Sequence, residues 1–290
     1  MITEAFIAYI GRATVLDQLS DVLQPAIGEM FRNAGARGQR LKNFLNGTLL
    51  GHPLHPALTD VPVGSWTTAL VLDVLGMVTG REDLAPGADL AVAIGLAGAV
   101  GAAVAGITDW SDTDSRPRRV GMAHALINSS ATLLYAGSLA MRRRNRGLGI
   151  TLGLAGYVVM SAGAYLGGHL VSVERIGVDH AAPKLTDEFI SVLADTDLPE
   201  NELRSADANG VPIVLVRRGS AIYALGEVCA HLGGPLSQGT LEDGAVRCPW
   251  HGSRFALDDG HVVDGPSAFA QPCFETRVRD GHIEVRGVST

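Results

Sequence analysis

Cysteine is scarce in this chain: three residues in 290, at positions 229, 248 and 273, too few for a fold held together by disulfides. Charge is sparse as well. Asp, Glu, Lys and Arg make up 18% of the residues, and the net charge of −7 is accompanied by no basic tract set among aromatics, so nucleic-acid binding has no support. The first ten residues contain Glu4, lack a basic leading region and show no cleavage site, so no removable signal peptide is expected. Apolar side chains, by contrast, are plentiful at 47%, and 36 glycines accompany them.

The apolar residues are concentrated in four stretches, roughly 57–78, 88–108, 121–141 and 147–171. Each is about 20 residues or slightly longer, the length an α-helix needs to cross a hydrocarbon core about 30 Å thick. Short polar breaks separate them, including Gly80-Arg81-Glu82-Asp83 and Arg142-Arg143-Arg144-Asn145-Arg146. A soluble bundle would need a polar outer face on every helix. The stretch from Ala91 to Gly106 has none, so four transmembrane helices packed as one bundle are expected. Small residues four apart, such as Gly95 with Ala99 and Ala102 with Gly106, permit close helix approach in lipid. Asp73, toward the far end of the first span, is expected to find a structural partner near Arg81. Upstream, residues 13–31 read as an amphipathic helix interrupted near Pro25, lying on the membrane surface or packed on the bundle.

Two short strings carry the chemistry: Cys229-Ala230-His231 and Cys248-Pro249-Trp250-His251, with sixteen residues between them. Two thiolates and two imidazoles suit a [2Fe–2S] centre in which the Cys pair holds one iron and the His pair the other. Zinc also accepts two Cys and two His, but its usual finger order groups like with like, whereas here each loop supplies one of each. Glycines flank both strings, in His231-Leu-Gly-Gly-Pro-Leu and His251-Gly-Ser-Arg-Phe, and let the loops approach a cluster closely. Short strands are expected around Arg218-Gly219 and Asp280-Gly281 and at 246–248, giving small antiparallel sheets.

On these strings and their flanks, residues 187–287 resemble the Rieske ferredoxin family. The resemblance implies that Cys229 and Cys248 bind the buried iron, that His231 and His251 bind the outer iron, and that Ser253 donates to a bridging sulfide. High-potential members carry two further loop cysteines joined as a disulfide; Gly234 and Trp250 stand at those places here. A tyrosine found two residues after the serine is replaced by Phe255. Hydrogen bonds to cluster sulfur raise the potential, so a value below the quinol-oxidising class is expected. Cys273, with no cysteine partner, reads as an inert thiol.

The remaining polar residues of interest, His52, His55, Asp60, Asp109, His124 and His169, fall at the ends of the apolar stretches that share one membrane face. Ionisable groups at membrane depth are costly and tend to be functional. They read either as interfacial caps or as a second site: a haem with two axial histidines, another metal held by His and Asp, or a quinol pocket. The string Leu50-Gly-His-Pro-Leu-His-Pro-Ala-Leu-Thr-Asp-Val-Pro-Val-Gly, with Asp109-Trp110 and Leu166-Gly-Gly-His169, resembles an uncharacterised bacterial four-helix membrane family, the DUF2231 type, including members fused to a Rieske domain.

The expected architecture is a multidomain membrane protein: an N-terminal helical segment over 1–50, a four-helix transmembrane bundle over 51–178, a linker over 179–186 and an all-β Rieske [2Fe–2S] domain over 187–290. The expected function is carriage of single electrons between redox partners, a protein or a quinone, at the surface of the cell membrane. Alternatives are a quinol-oxidising or haem-linked respiratory subunit, or an anchor whose cluster is structural. A terminal oxygenase would need a mononuclear iron site in a sizeable domain after the cluster, and only 39 residues follow His251. Basic residues near the spans favour a cytoplasmic Rieske domain by number, while the dense 142–146 run argues the reverse.

Overall fold

The computed structural model describes residues 2–181 and 185–287; residues 182–184, within the expected linker, lie outside the described residues. The chain divides into two compact units. One is helical and comprises residues 1–38 and Leu54–Ile176; the other is mostly β and comprises Gln39–Pro53 and Gly177–Thr290.

Seven α-helices are described: α1 (Ile2–Arg12), α2 (Val15–Asn33), α3 (Gly35–Asn46), α4 (Leu54–Thr79), α5 (Ala85–Trp110), α6 (Ser115–Arg142) and α7 (Arg146–Ser172). Their ends follow local chemistry. Gly80, at φ +70°, ends α4 in the left-handed region where a side chain would be strained. Pro86 opens α5, where its missing N–H costs nothing, and the Asn145 side chain caps α7 by accepting from Leu148 N at 3.0 Å. The α2 helix runs through Pro25 without a break, contrary to the expected interruption.

Three helical segments are long and apolar enough to cross a membrane: Leu54–Thr79, Glu82–Trp110 and Arg146–Ser172. The fourth expected span, α6, has the length at 28 residues but opens on Arg116, Arg118 and Arg119 and carries Asn128-Ser129-Ser130 at its middle. Those polar groups dilute its apolar character, and the expected set of four is reduced to three by this measure.

Helices α4 and α5 form one antiparallel hairpin and α6 and α7 another. Glycine makes the close approach possible. A Cβ on Gly95 would stand 2.2 Å from the Trp66 indole nitrogen, and one on Gly98 would stand 2.5 Å from Val61. Trp66 in turn stacks on Tyr135, with ring centroids 4.0 Å apart and planes within 12°. The N-terminal helices pack on the same unit. Ile7 and Ile10 join Val120 and Leu166 in a buried cluster, Asp17 pairs with Arg119, and Asp21 with Arg118. For α2 this is ordinary helix packing, the second of the two readings its amphipathic pattern allowed.

Asp73 has a different partner from the one its sequence position suggested. It meets Arg142 in a buried ion pair, with Arg142 Nη1 3.0 Å from its Oδ1; Arg146 and Asp89 complete the cluster, and Arg81 pairs instead with Asp83. Side chains of Asp73 and Arg142 are 5% and 1% exposed, so neither charge has water to turn to. We expect Arg142→Met to destabilise the folded chain by about 3 kcal/mol, because it strands a buried carboxylate with Arg146 as its remaining partner. Thermal unfolding in detergent measures this, and Arg81→Met provides the control that stays near the parent value.

Ten strands are described in the β unit. A six-stranded antiparallel sheet has the order β1-β10-β9-β4-β3-β2, from β1 (Ile190–Ala194), β2 (Leu203–Ala208), β3 (Val211–Arg218), β4 (Ala221–Gly226), β9 (Cys273–Arg279) and β10 (His282–Gly287). A smaller sheet runs β5-β6-β7-β8, from β5 (Thr240–Glu242), β6 (Ala245–Arg247), β7 (Arg254–Ala256) and β8 (Val262–Asp264). The strands expected around Arg218-Gly219 and Asp280-Gly281 are the β3–β4 and β9–β10 hairpins. One buried cluster, with Ile213, Leu215 and Ile283, fills the large sheet; another holds Cys229, Cys248, Leu236 and Phe255.

Candidate metal centre

The two cysteine-containing strings leave the ends of β4 and β6 and fold into the same turn. Gly233 N donates to Cys229 O at 2.9 Å, and Cys229 N donates to Gly234 O at 2.9 Å. Gly252 N donates to Cys248 O at 3.2 Å, and Cys248 N donates to Ser253 O at 2.8 Å. In each, the glycine four residues after the cysteine adopts a left-handed φ, +81° at Gly233 and +78° at Gly252, which other residues reach only with strain. The shared geometry explains why both strings need a glycine at that offset.

These turns bring like donors together. The thiols of Cys229 and Cys248 lie within hydrogen-bonding reach of each other, and the imidazoles of His231 and His251 face each other with ring centroids 5.1 Å apart and planes at 83°. With metal–imidazole bonds of about 2.0–2.1 Å, two rings on one ion have centroids roughly 5–6 Å apart. The His231 Nδ1 atom is buried without a hydrogen-bond partner among the described residues, a cost that a metal bond removes. A sulfur pair beside a nitrogen pair fits a two-iron cluster; a single tetrahedral ion would draw all four donors to one point.

Electrostatics prepare the same residues. Burial, with the nearby His251, Lys42 and His180, holds His231 down to about 3, so it is neutral and able to ligate. The two thiols share a proton. The hydrogen bond between them lowers the proton affinity of Cys248 and raises that of Cys229.

Ser253 is fully buried, and its Oγ accepts from Ser267 N at 3.0 Å, which leaves its own proton for another acceptor. Phe255 is fully buried in the core, and Trp250 is exposed. Gly234, at the place where a loop cysteine stands in high-potential relatives, has no room to spare: a Cβ there would lie 2.9 Å from Cys248 Sγ and 3.0 Å from the Trp250 ring. All three cysteines are free thiols, and Cys273 Sγ donates to Asp258 O at 3.5 Å.

Sequence reasoning passed over three supports. Gln271, 2% exposed, clamps the first loop by accepting from Ala230 N at 3.0 Å and donating to Gly226 O and Val228 O at 2.8 and 2.7 Å. Glu227 is buried against Ser237, whose hydroxyl donates to it at 2.5 Å, and burial raises its proton affinity. The third support is the stretch Gln39–Pro53. Asn43 donates to Asp264 Oδ1 at 3.1 Å and accepts from Gly265 N at 3.0 Å, Thr48 donates to Ser267 O at 3.2 Å, and the His52 ring packs edge-on to Phe269 at 5.9 Å. This stretch therefore braces the loop that positions Ser253. No periodicity in residues 39–53 advertises such a role.

The six residues expected as a second site have different surroundings. His52 belongs to the β unit. His169 Nε2 lies 3.1 Å from Glu174 Oε1, and Asp60 is exposed. Of the six, His55 and His124 do meet, at 6.1 Å between ring centroids. Among the described residues, the one group of three or more donors close enough for a single ion is Asp258, Asp259 and His261, all exposed.

Comparison with known proteins agrees with this geometry. Residues 188–275 match the family model described as the Rieske [2Fe-2S] domain, and residues 51–180 match "Predicted membrane protein (DUF2231)". The ferredoxin CarAc of Metapseudomonas resinovorans is 30% identical over 100 residues, covering 34% of this chain and 94% of that protein. The 3-phenylpropionate/cinnamic acid dioxygenase ferredoxin subunit of Escherichia coli K12 is 34% identical over 30% of this chain and 82% of its own length. Human apoptosis-inducing factor 3 is 30% identical over 119 residues, but the chain spans only 20% of its length. Among solved structures, the complex of reduced oxygenase and oxidised ferredoxin in carbazole 1,9a-dioxygenase is similar, with 28% identity over 36% of this chain and 98% of the matched one and a TM-score of 0.34. The fold and site of the C-terminal region define a Rieske-type domain that binds a [2Fe–2S] cluster. The chain belongs to the Rieske [2Fe-2S] family through its C-terminal region, joined to a helical region of the DUF2231 family.

Gly234→Ala should lower cluster iron in the purified chain severalfold, since the added methyl pushes Cys248 Sγ and Trp250 away. Iron and acid-labile sulfide per chain measure the loss; Ser220→Ala, exposed in a turn of the same unit, should keep its full complement.

Proposed function

We propose that this protein is a membrane-anchored carrier that passes single electrons between redox partners at the membrane surface. Cys229 and Cys248 hold one iron, and His231 and His251 hold the other. The observation that carries this reading is the pairing of thiol with thiol and imidazole with imidazole by two copies of one turn. When bound, a cluster of this kind takes up and returns one electron at a potential between roughly −150 and +300 mV.

The chain's residues determine where in that range it works. Neutral imidazoles in place of two thiolates lower the negative charge at the site and make an added electron less costly. Ser253, whose Oγ already accepts from Ser267 N, would have its hydroxyl proton available for a cluster sulfur. Phe255 supplies none, and Gly234 and Trp250 leave no bridge between the loops. These features support a potential below that of the quinol-oxidising class and nearer that of the ferredoxins that serve oxygenases.

The anchor is the bundle α4–α7, crossing the membrane four times. In the most polar of the four, α6, Arg142 is paired inside the bundle and the N-terminal arginines are engaged by α2. That pairing withdraws Arg142 from the 142–146 loop and Arg146 partly with it, which weakens the contrary signal and favours a cytoplasmic Rieske domain.

Cys248→Ser should lose most of its iron and the reduced-state electron paramagnetic resonance signal of the parent. His251→Cys should keep a cluster whose potential drops toward the all-thiolate range of about −400 mV. A Cys248→Ser chain with the unaltered signal would remove the ligand assignment. For orientation, a cysteine engineered at Ser220, in the β3–β4 turn, should stay unlabelled by an impermeant thiol reagent in intact cells and react once the cells are lysed.

A further inference from the structure

We propose that α4–α5 and α6–α7 are two copies of one helical hairpin related by a quasi-two-fold axis, and that His55 and His124, which meet on that axis, are paired ligands for a first-row transition-metal ion, either bare or carried in a porphyrin.

The duplication shows in spacing and contact together. His55 and His124, Trp66 and Tyr135, and Asp73 and Arg142 are each 69 positions apart, and each residue touches its own equivalent: imidazole by imidazole, ring stacked on ring, carboxylate on guanidinium. Contact between equivalent positions is what a two-fold axis requires of the residues lying on it. The four buried positions of α4, Pro62, Trp66, Ala69 and Asp73, correspond at the same offset to Ala131, Tyr135, Ser138 and Arg142, all buried in α6.

The second helix of each hairpin repeats at an offset of 61. Gly95 accommodates Trp66 and Gly156 accommodates Tyr135; Gly106 accommodates His55 and Gly167 accommodates His124. The histidines also share a hydrogen bond. His55 Nδ1 lies 2.8 Å from Ala102 O, and His124 Nδ1 lies 2.9 Å from Gly163 O, again 61 positions on.

The chemistry follows from those two bonds. A carbonyl only accepts, so each Nδ1 carries the proton and each Nε2 keeps its lone pair. A main-chain carbonyl holding the far nitrogen is the usual way a protein orients a metal-binding imidazole. The centroid separation of 6.1 Å lies between the roughly 5 Å of two rings at a tetrahedral angle and the roughly 6.4 Å of two rings opposite each other on one ion, given bonds of about 2.0–2.1 Å. Asn128 Nδ2 sits 3.3 Å from His124 Nε2 but makes its shorter bond, 2.9 Å, to His124 O, so an ion would displace only the weaker contact. This site is independent of the iron–sulfur centre: its residues lie in the helical unit, and its occupancy is read without reducing the cluster.

The test uses the full-length chain in detergent, by metal analysis and optical spectroscopy as purified and after addition of hemin or of Zn²⁺. Metal in excess of the cluster iron, or uptake of one probe, is expected. A Soret band with bis-imidazole character marks the porphyrin source, and Zn²⁺ uptake without it marks the bare ion. Affinity should fall at least tenfold in His55→Ala and in His124→Ala. It should also fall in the glutamine variants, whose side chains can still donate to the carbonyls if alanine disturbs packing, and should persist in His169→Ala. Circular dichroism and the cluster's own resonance signal should be unchanged. The proposal is overturned if the parent chain holds no excess metal and binds neither probe more tightly than the double variant, or if His169→Ala loses binding equally.

Discussion

The cluster site depends on a six-residue turn used twice. In each copy the cysteine carbonyl and amide are both engaged, by a glycine N–H four residues on and a carbonyl five residues on. The backbone around each sulfur is therefore rigid before any metal is considered. Rigidity matters because a buried thiolate pair repels itself, and only a framework already satisfied elsewhere can hold the two sulfurs at contact. The histidines then follow by chain geometry, one two residues and the other three residues beyond its cysteine, and arrive together on the same side.

Around this pair the protein arranges supports of increasing sequence distance. Gln271 secures the first loop from across the sheet, Ser267 orients Ser253 in the second, and Asn43 and Thr48 brace the loop carrying Ser267 from more than 200 residues upstream. In the helical unit a comparable economy holds the bundle with glycines and one enclosed ion cluster. Four charged groups in an apolar surround are costly singly, but as two carboxylates and two guanidiniums they compensate one another.

Much of this was readable from residue order alone. The cysteine–histidine strings, their glycines and the flanking hairpins are local, and local spacing determines the turn that each forms. The apolar stretches likewise announced helices, since length and composition suffice for that. Long-range partners were not readable. The order of residues points Asp73 toward Arg81, eight residues away, and nothing in it says that the end of α6 returns to the same place. The six polar residues expected as a second site are grouped by their places in the sequence, yet His169 meets Glu174 while His55 and His124 meet each other. Pro25 suggests a break, yet a helix supported by tertiary ion pairs tolerates the loss of one backbone bond.

The stretch Gln39–Pro53 carries one more implication. Because it belongs to the same compact unit as Gly177–Thr290, that unit is discontinuous in sequence, with α4 to α7 inserted between its two parts. A ribosome making this chain releases the brace early and the cysteine loops late, after every apolar helix has emerged. Completion of the metal-binding half is thereby timed to follow delivery of the hydrophobic half, so an iron-loading step acting on the finished site meets a chain whose helices already exist.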